Sequence, residues 1–124
     1  MAVTTLETRV GKIHVVRPDD NPDLVYLRAE VGSAAELAAP AHFLRAALAG
    51  NRFGLQTGGG TLSLGPDETP VIYLTLRTTA EVADDPAALE AELQGFAATL
   101  HLWRERFDLE AKMPVAEEEE HERA

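Results

Sequence analysis

Few residues in this 124-residue chain have types and spacings that could do chemistry, and the first to weigh are three glycines. A run such as Gly58-Gly59-Gly60 can let backbone amides close around a phosphate. A phosphate loop also needs Lys-Ser or Lys-Thr after its last glycine, and a helix N-terminus facing the anion. Thr61 and Leu62 follow instead, and the chain becomes an alternating strand. The run therefore reads as a permissive connector that lets a helix and a strand approach closely.

The remaining candidates fare no better. His14, His42, His101 and His121 are scattered along the chain. His121-Glu122 opens like a zinc-protease pair, but the second histidine of that motif is missing. Asp19-Asp20 falls in a Pro-rich loop and Asp84-Asp85 at a helix start, where turn formation and capping explain carboxylates. Ser33 and Ser63 have no evident histidine-acid pairing, and no G-x-S-x-G elbow occurs. Trp103-Arg104-Glu105-Arg106 is compatible with a cation–π contact, but reads better as a core tryptophan with solvated arginines. With no cysteine there is no thiolate ligand and no disulfide framework. The reading is of a protein that is not an enzyme and has no cofactor or metal.

The elements that carry these residues follow from periodicity. Residues 4–17 are rich in β-branched types, and Gly11 marks a turn or bulge between two strands. Pro18 to Asp23 is a loop. From Leu24 to Val31 the chain alternates, with Val25, Leu27, Ala29 and Val31 forming one wholly apolar face. Ser33 to Ala38 reads as a short turn. A helix opens with Pro40 at its first position, shows Phe43, Leu44, Ala47 and Leu48 on one face, and is capped by Gly50-Asn51. Strands Thr61–Leu64 and Pro70–Thr78 are joined by a hairpin linker at residues 65–69. Near the start of the second, both faces are apolar (Ile72, Leu74 and Leu76 against Val71 and Tyr73), which calls for cover on both sides. Asp85 caps a final helix with Pro86 at its first position. Its stripe of Leu89, Leu93, Phe96, Leu100, Trp103 and Phe107 extends to about Ala111. The fold class predicted is α+β, order β-β-β-α-β-β-α, with an antiparallel sheet of about five strands and helices on one face.

Bulk composition narrows the partners. A formal charge of −10, from 21 acids against 11 bases, opposes nucleic acid and anionic membranes. No apolar run approaches the ~20 residues of a membrane helix, and no secretory signal opens the chain. Cytoplasmic residence is the simplest expectation. The domain is expected to span residues 1–112, with 113–124 an acidic, disordered tail that carries Glu117 to Glu120.

One segment points further. The stretch LRAALAGNRFGLQTGGGTLSLGPDETPVIYLTLR, Leu44 to Arg77, resembles the central region of class I type III secretion chaperones, the Tir-chaperone-like family. The matching features are a helix ending in Leu48 and Asn51, then Phe53-Gly54, then a Thr57-Gly58-Gly59 connector into a hairpin. The final helix, with Leu100, Trp103, Arg104, Glu105 and Arg106, is similar to that family's C-terminal helix. The resemblance implies a bacterial, cytoplasmic, dimeric chaperone. Such a protein binds the unfolded N-terminal segment of a secreted effector without hydrolysing nucleotide. The chain departs from the family pattern in one respect: Met1 to Arg9 is too short and too β-branched to supply the amphipathic helix that usually precedes the first strand. Either the start is trimmed, or the subunit lacks that helix and pairs with a different one. That leaves open whether the chain pairs with itself or with a related subunit. For dimerisation the expected residues are Phe43, Leu44, Leu48, Leu62, Leu64, Ile72 and Leu74, and for the client Val10, Ile13, Val15 and Tyr26. The alternative reading is a small dimeric adaptor or regulator unrelated to secretion.

Overall fold

The structure, a computed structural model, describes residues 1–65 and 70–112. The turn expected at residues 66–69 and the acidic tail with His121 lie outside the described residues. Five strands, β1 (Ala2–Thr8), β2 (Gly11–Arg17), β3 (Leu24–Ser33), β4 (Thr61–Leu64) and β5 (Val71–Thr79), form one antiparallel sheet in the order β1-β2-β3-β5-β4. Helices α1 (Pro40–Gly50), α2 (Ala80–Asp84) and α3 (Pro86–Ala111) complete the fold, with single 3-10 turns at Ala34–Glu36 and Arg52–Gly54. The α+β class and the order of the main elements are as the sequence predicts.

Register places the apolar positions on one face. Val15 opposes Leu27, Leu27 opposes Leu76, Ala29 opposes Leu74, and Leu74 opposes Leu62. Antiparallel partners share a face, so Ile13, Val15, Val25, Leu27, Ala29, Leu74 and Leu62 line up toward the helices and are buried. Of the stripe on α3, Phe96, Leu100, Trp103 and Phe107 are buried, while Leu89 and Leu93 are partly covered. α1 contributes Phe43, whose ring meets Trp103 edge-on at 6.0 Å and Phe107 edge-on at 5.6 Å. Each such aromatic pair stabilises by about 0.5–1.5 kcal/mol beyond its buried area.

Two glycines make this packing possible. A Cβ at Gly50 would stand 2.7 Å from the indole of Trp103, and one at Gly32 would overlap the ring of Phe107. Gly50 was expected to cap α1, but it lies inside the helix and its role is to admit Trp103. Asn51 is the cap, in right-handed conformation, and the left-handed residues come later, at Phe53 and Gly54.

Between β5 and the last helix, Thr79 accepts from the Val82 amide at 3.2 Å and caps the five-residue α2. Two further expectations are corrected. Asp85 does cap α3 as expected, whereas Asp84 closes α2 and pairs with Arg17 at 2.9 Å. The arginines after Trp103 are not simply solvated. Arg104 donates from Nε and Nη2 to the Glu30 carbonyl at 2.9 and 2.6 Å, at the irregularity between Glu30 and Gly32 in β3. Arg106 bonds Glu110 at 3.1 Å and stands over Trp103.

Gly32→Ala is expected to destabilise the fold by about 1–3 kcal/mol, since Phe107 has no free direction in which to yield. Urea denaturation with an unchanged m-value would register the loss as a lower midpoint.

Candidate functional site

α1 leaves part of the sheet uncovered. Phe43 and Ala47 point at the sheet, whereas Leu44 and Leu48 lie about 100° further round the helix and look past β4. Leu64 opposes Ile72 on the same face, at the outer edge. Between them runs a groove of about 200 Å³ lined by Leu44, Ala47, Leu48, Leu62, Ser63, Leu64 and Ile72, almost wholly apolar. Of the seven residues expected at a dimer interface, Phe43, Leu62, Ile72 and Leu74 are buried within the protomer. Leu44 is half-buried, Leu48 is 72% exposed and Leu64 is 52% exposed. The groove unites five of the seven; Phe43 and Leu74 lie beneath it in the core.

The loop after α1 is locked by side-chain and backbone bonds. Asn51 donates from Nδ2 to the Leu62 carbonyl at 2.8 Å, and its Oδ1 accepts from the Leu62 amide at 2.7 Å. One side chain thereby occupies both backbone groups of the second residue of β4, on the side away from β5. Phe53 then adopts φ 55°, ψ 16°, a left-handed conformation that costs a residue with a side chain about 1–2 kcal/mol. The conformation is held from behind: Gly59 donates to the Gly54 carbonyl at 3.0 Å, and a Cβ on Gly54 would come within 2.9 Å of the Gly59 Cα. The glycine run is thus a connector, as its composition suggests, with Gly58 and Gly59 at positive φ and Gly60 packed against the Thr75 carbonyl. Phe53 itself is 85% exposed.

At the other end of the sheet β1 is an edge strand, with β2 on one side and no described strand on the other. Among the residues expected to meet a client, Ile13 and Val15 are enclosed in the core. Val10 sits half-buried in the β1–β2 turn, its amide donating to Thr8 Oγ1 at 3.2 Å. Tyr26 is half-buried on the sheet face opposite the buried row, in line with Val3, Val16 and Arg77. The same face holds a shallow concavity of about 240 Å³ bordered by Met1, Val3, His14, Val16, Arg28, Glu30 and Tyr73. Arg28 lies 3.9 Å above the Tyr73 ring there.

The three histidines among the described residues do not converge. His14 bonds Thr5 Oγ1 at 2.9 Å, His101 pairs with Glu105, and His42 meets Glu110 at 2.7 Å. Glu110, also held by Arg106, joins the first turn of α1 to the end of α3. Among the described residues no group of three or more His, Cys, Asp or Glu is placed to hold a metal ion, and no helix is long and apolar enough to cross a membrane.

Sequence reasoning missed Asn51 as a strand clamp, the display of Phe53, and the concavity at Tyr73. The signal for Phe53 was available, because it belongs to no apolar stripe and is followed directly by glycine. Asn51→Ala is expected to lower stability by about 1–3 kcal/mol, because two buried backbone groups lose their partner. Amide exchange at Leu62 should accelerate with it, whereas a change confined to the helix end would show that the clamp does not hold β4.

A family model of the Tir chaperone protein (CesT) family matches residues 5–104, which takes in β1 from Thr5 onward, the other four strands and most of α3. No curated protein matches the chain at a significant level. The matched span includes the α1–β4 groove, the locked loop and all but the first residues of the β1 edge. This chain belongs to the Tir chaperone protein family, a family of type III secretion chaperones.

Proposed function

We propose that this protein holds the unfolded N-terminal segment of a secreted effector, or of an apparatus or gatekeeper protein, soluble and competent for secretion. It does so in the bacterial cytoplasm by binding alone, without nucleotide hydrolysis. The observation that carries this reading is the asymmetry of the sheet edges. β1 runs seven residues with no described strand on its outer side, whereas the four-residue β4 has its middle closed by Asn51. An extended client segment adds to β1 through backbone bonds, and its alternate side chains fall beside Val3 and Thr5 on the open face or beside Thr4 and Leu6 on the other. Main-chain bonding of this kind tolerates varied sequences, which suits a carrier of unfolded chain. Tyr26 and Val10 flank this edge from β3 and from the β1–β2 turn, and remain the candidate client contacts with surface to offer.

Dimerisation belongs to the same reading. The apolar groove between α1 and β4 would be covered by a second subunit, identical or related. Leu44, Leu48 and Leu64 carry that contact at the surface, over Leu62 and Ile72.

Two experiments test these parts separately. Of Thr4→Pro and Thr5→Pro, one deletes an amide turned toward β2 and the other an amide turned toward the free edge. The second is expected to retain its far-UV circular dichroism yet fail to keep a co-expressed effector segment soluble. Retention of the segment by both folded variants would rule out strand addition at β1. Recovery of a folded regulator as the partner from the native cell, in place of a protease-sensitive effector N-terminus, would favour an adaptor. For the groove, Leu48→Asp with Leu64→Asp should give a folded monomer by light scattering, since both side chains are exposed in the protomer. An unchanged dimer mass would move the interface elsewhere.

A further inference from the structure

Phe53 is the most exposed large apolar side chain of the described residues, and it is also the one non-glycine among them held at positive φ. Those two properties rarely need to coincide. An exposed phenylalanine gains nothing inside the protomer that would offset an unfavourable backbone. Among the described residues its one cation contact is with the neighbouring Arg52, at 5.6 Å. Backbone strain retained by a locked surroundings is a sign of a placed side chain. Here the locking is explicit, through Asn51 on one side and the Gly54–Gly59 approach on the other. A rigid aromatic displayed in this way has little left to lose on docking, which is the character of an interface anchor.

A receiving site lies close by. Asn51 is bonded to Leu62, a groove residue, and Phe53 follows two residues later, while Leu48 on the groove rim is in the last turn of α1. The groove volume, about 200 Å³, is enough for a phenyl ring. Phe53 cannot serve its own groove, because its exposure shows that it projects away from its own chain. Anchor and receptor carried side by side on one surface are self-complementary across a two-fold axis, where each copy gives what the other receives. Phe53 with Leu48, Leu55 and Leu64 exposes on the order of 500 Å² of apolar side-chain surface, more than half of the ~800 Å² per partner that a stable interface needs.

We infer that Phe53 of one copy of this chain inserts into the α1–β4 groove of a second copy, so that each groove is completed by an aromatic ring from its partner. This rests on the reading that the groove is the dimer interface, and it commits that interface to a reciprocal exchange between identical chains.

The test uses the full chain in sedimentation equilibrium. Phe53→Ala is expected to raise the dimer dissociation constant by about 30-fold or more, as loss of a central aromatic anchor does. Leu102→Ala, which trims an exposed leucine on α3, serves as the control and is expected to leave it unchanged. In a second measurement, p-benzoylphenylalanine replaces Phe53 in a mixture of isotopically heavy and light chains. Photolysis should give mixed-label products that join position 53 to residues 44–48 or 62–64. The inference is overturned if Phe53→Ala changes the dissociation constant no more than the control does, or if cross-links form only within one chain. If Leu48→Asp with Leu64→Asp abolishes the dimer while Phe53→Ala does not, the groove reading stands and the exchange alone fails. If neither variant changes the dimer, or the native chain sediments as a monomer, both fail together.

Discussion

Everything in this molecule hangs on the seating of α3 across the sheet, and that seating hangs on three aromatic rings. Phe43 of α1 meets both Trp103 and Phe107 of α3 edge to face, so that the two helices are fixed to one another within the same core that seats them on the sheet. The indole N–H adds a direction, since it donates to the Gln56 carbonyl at 2.9 Å and ties the loop after α1 to the helix. Gly32 and Gly50 are small because the rings occupy their side-chain space. The polar partners sit at the margins: Arg104 caps the bulge in β3, and Glu110 links α1 to α3 through His42 and Arg106. With α1 held at this angle, its Leu44–Leu48 flank overhangs β4 and the groove exists.

Much of this was legible in the sequence because it depended on periodicity. The alternation of Val25, Leu27, Ala29 and Val31 gave a buried face, and the spacing from Leu89 to Phe107 gave the last helix and its cap at Asp85. What periodicity could not convey was which apolar residues are enclosed by the protomer and which are left over. Ile72 and Leu48 are equally greasy on the page. Ile72 lies under α1 on an inner strand, and Leu48 lies one step too far around the helix to reach the sheet. Residues whose roles come from tertiary contact were equally silent: Gly50 looks like a cap until Trp103 is placed beside it, and Asn51 looks like a helix end until β4 comes within reach. α2 was invisible because five residues are too few to show a helical period.

The two proposed surfaces use different physics, and they sit at opposite ends of the strand order. At β1 the resource is unpaired backbone, which is directional and indifferent to side-chain identity. At the α1–β4 groove it is apolar area, which is selective for shape and needs no backbone at all. A carrier that must accept loosely ordered chain while keeping one particular subunit partner gains from this separation, because neither contact competes with the other.

The clamp at Asn51 has a consequence for assembly on a larger scale. If both outer strands of a sheet were open, the first strand of one molecule could pair with the fourth of the next, and such head-to-tail joining has no natural end. With the fourth strand sealed at its midpoint, that route to filaments is shut. Pairing of first strand with first strand stays open, but it terminates after one round. A single carboxamide thus closes the open-ended mode of strand pairing between copies of this chain.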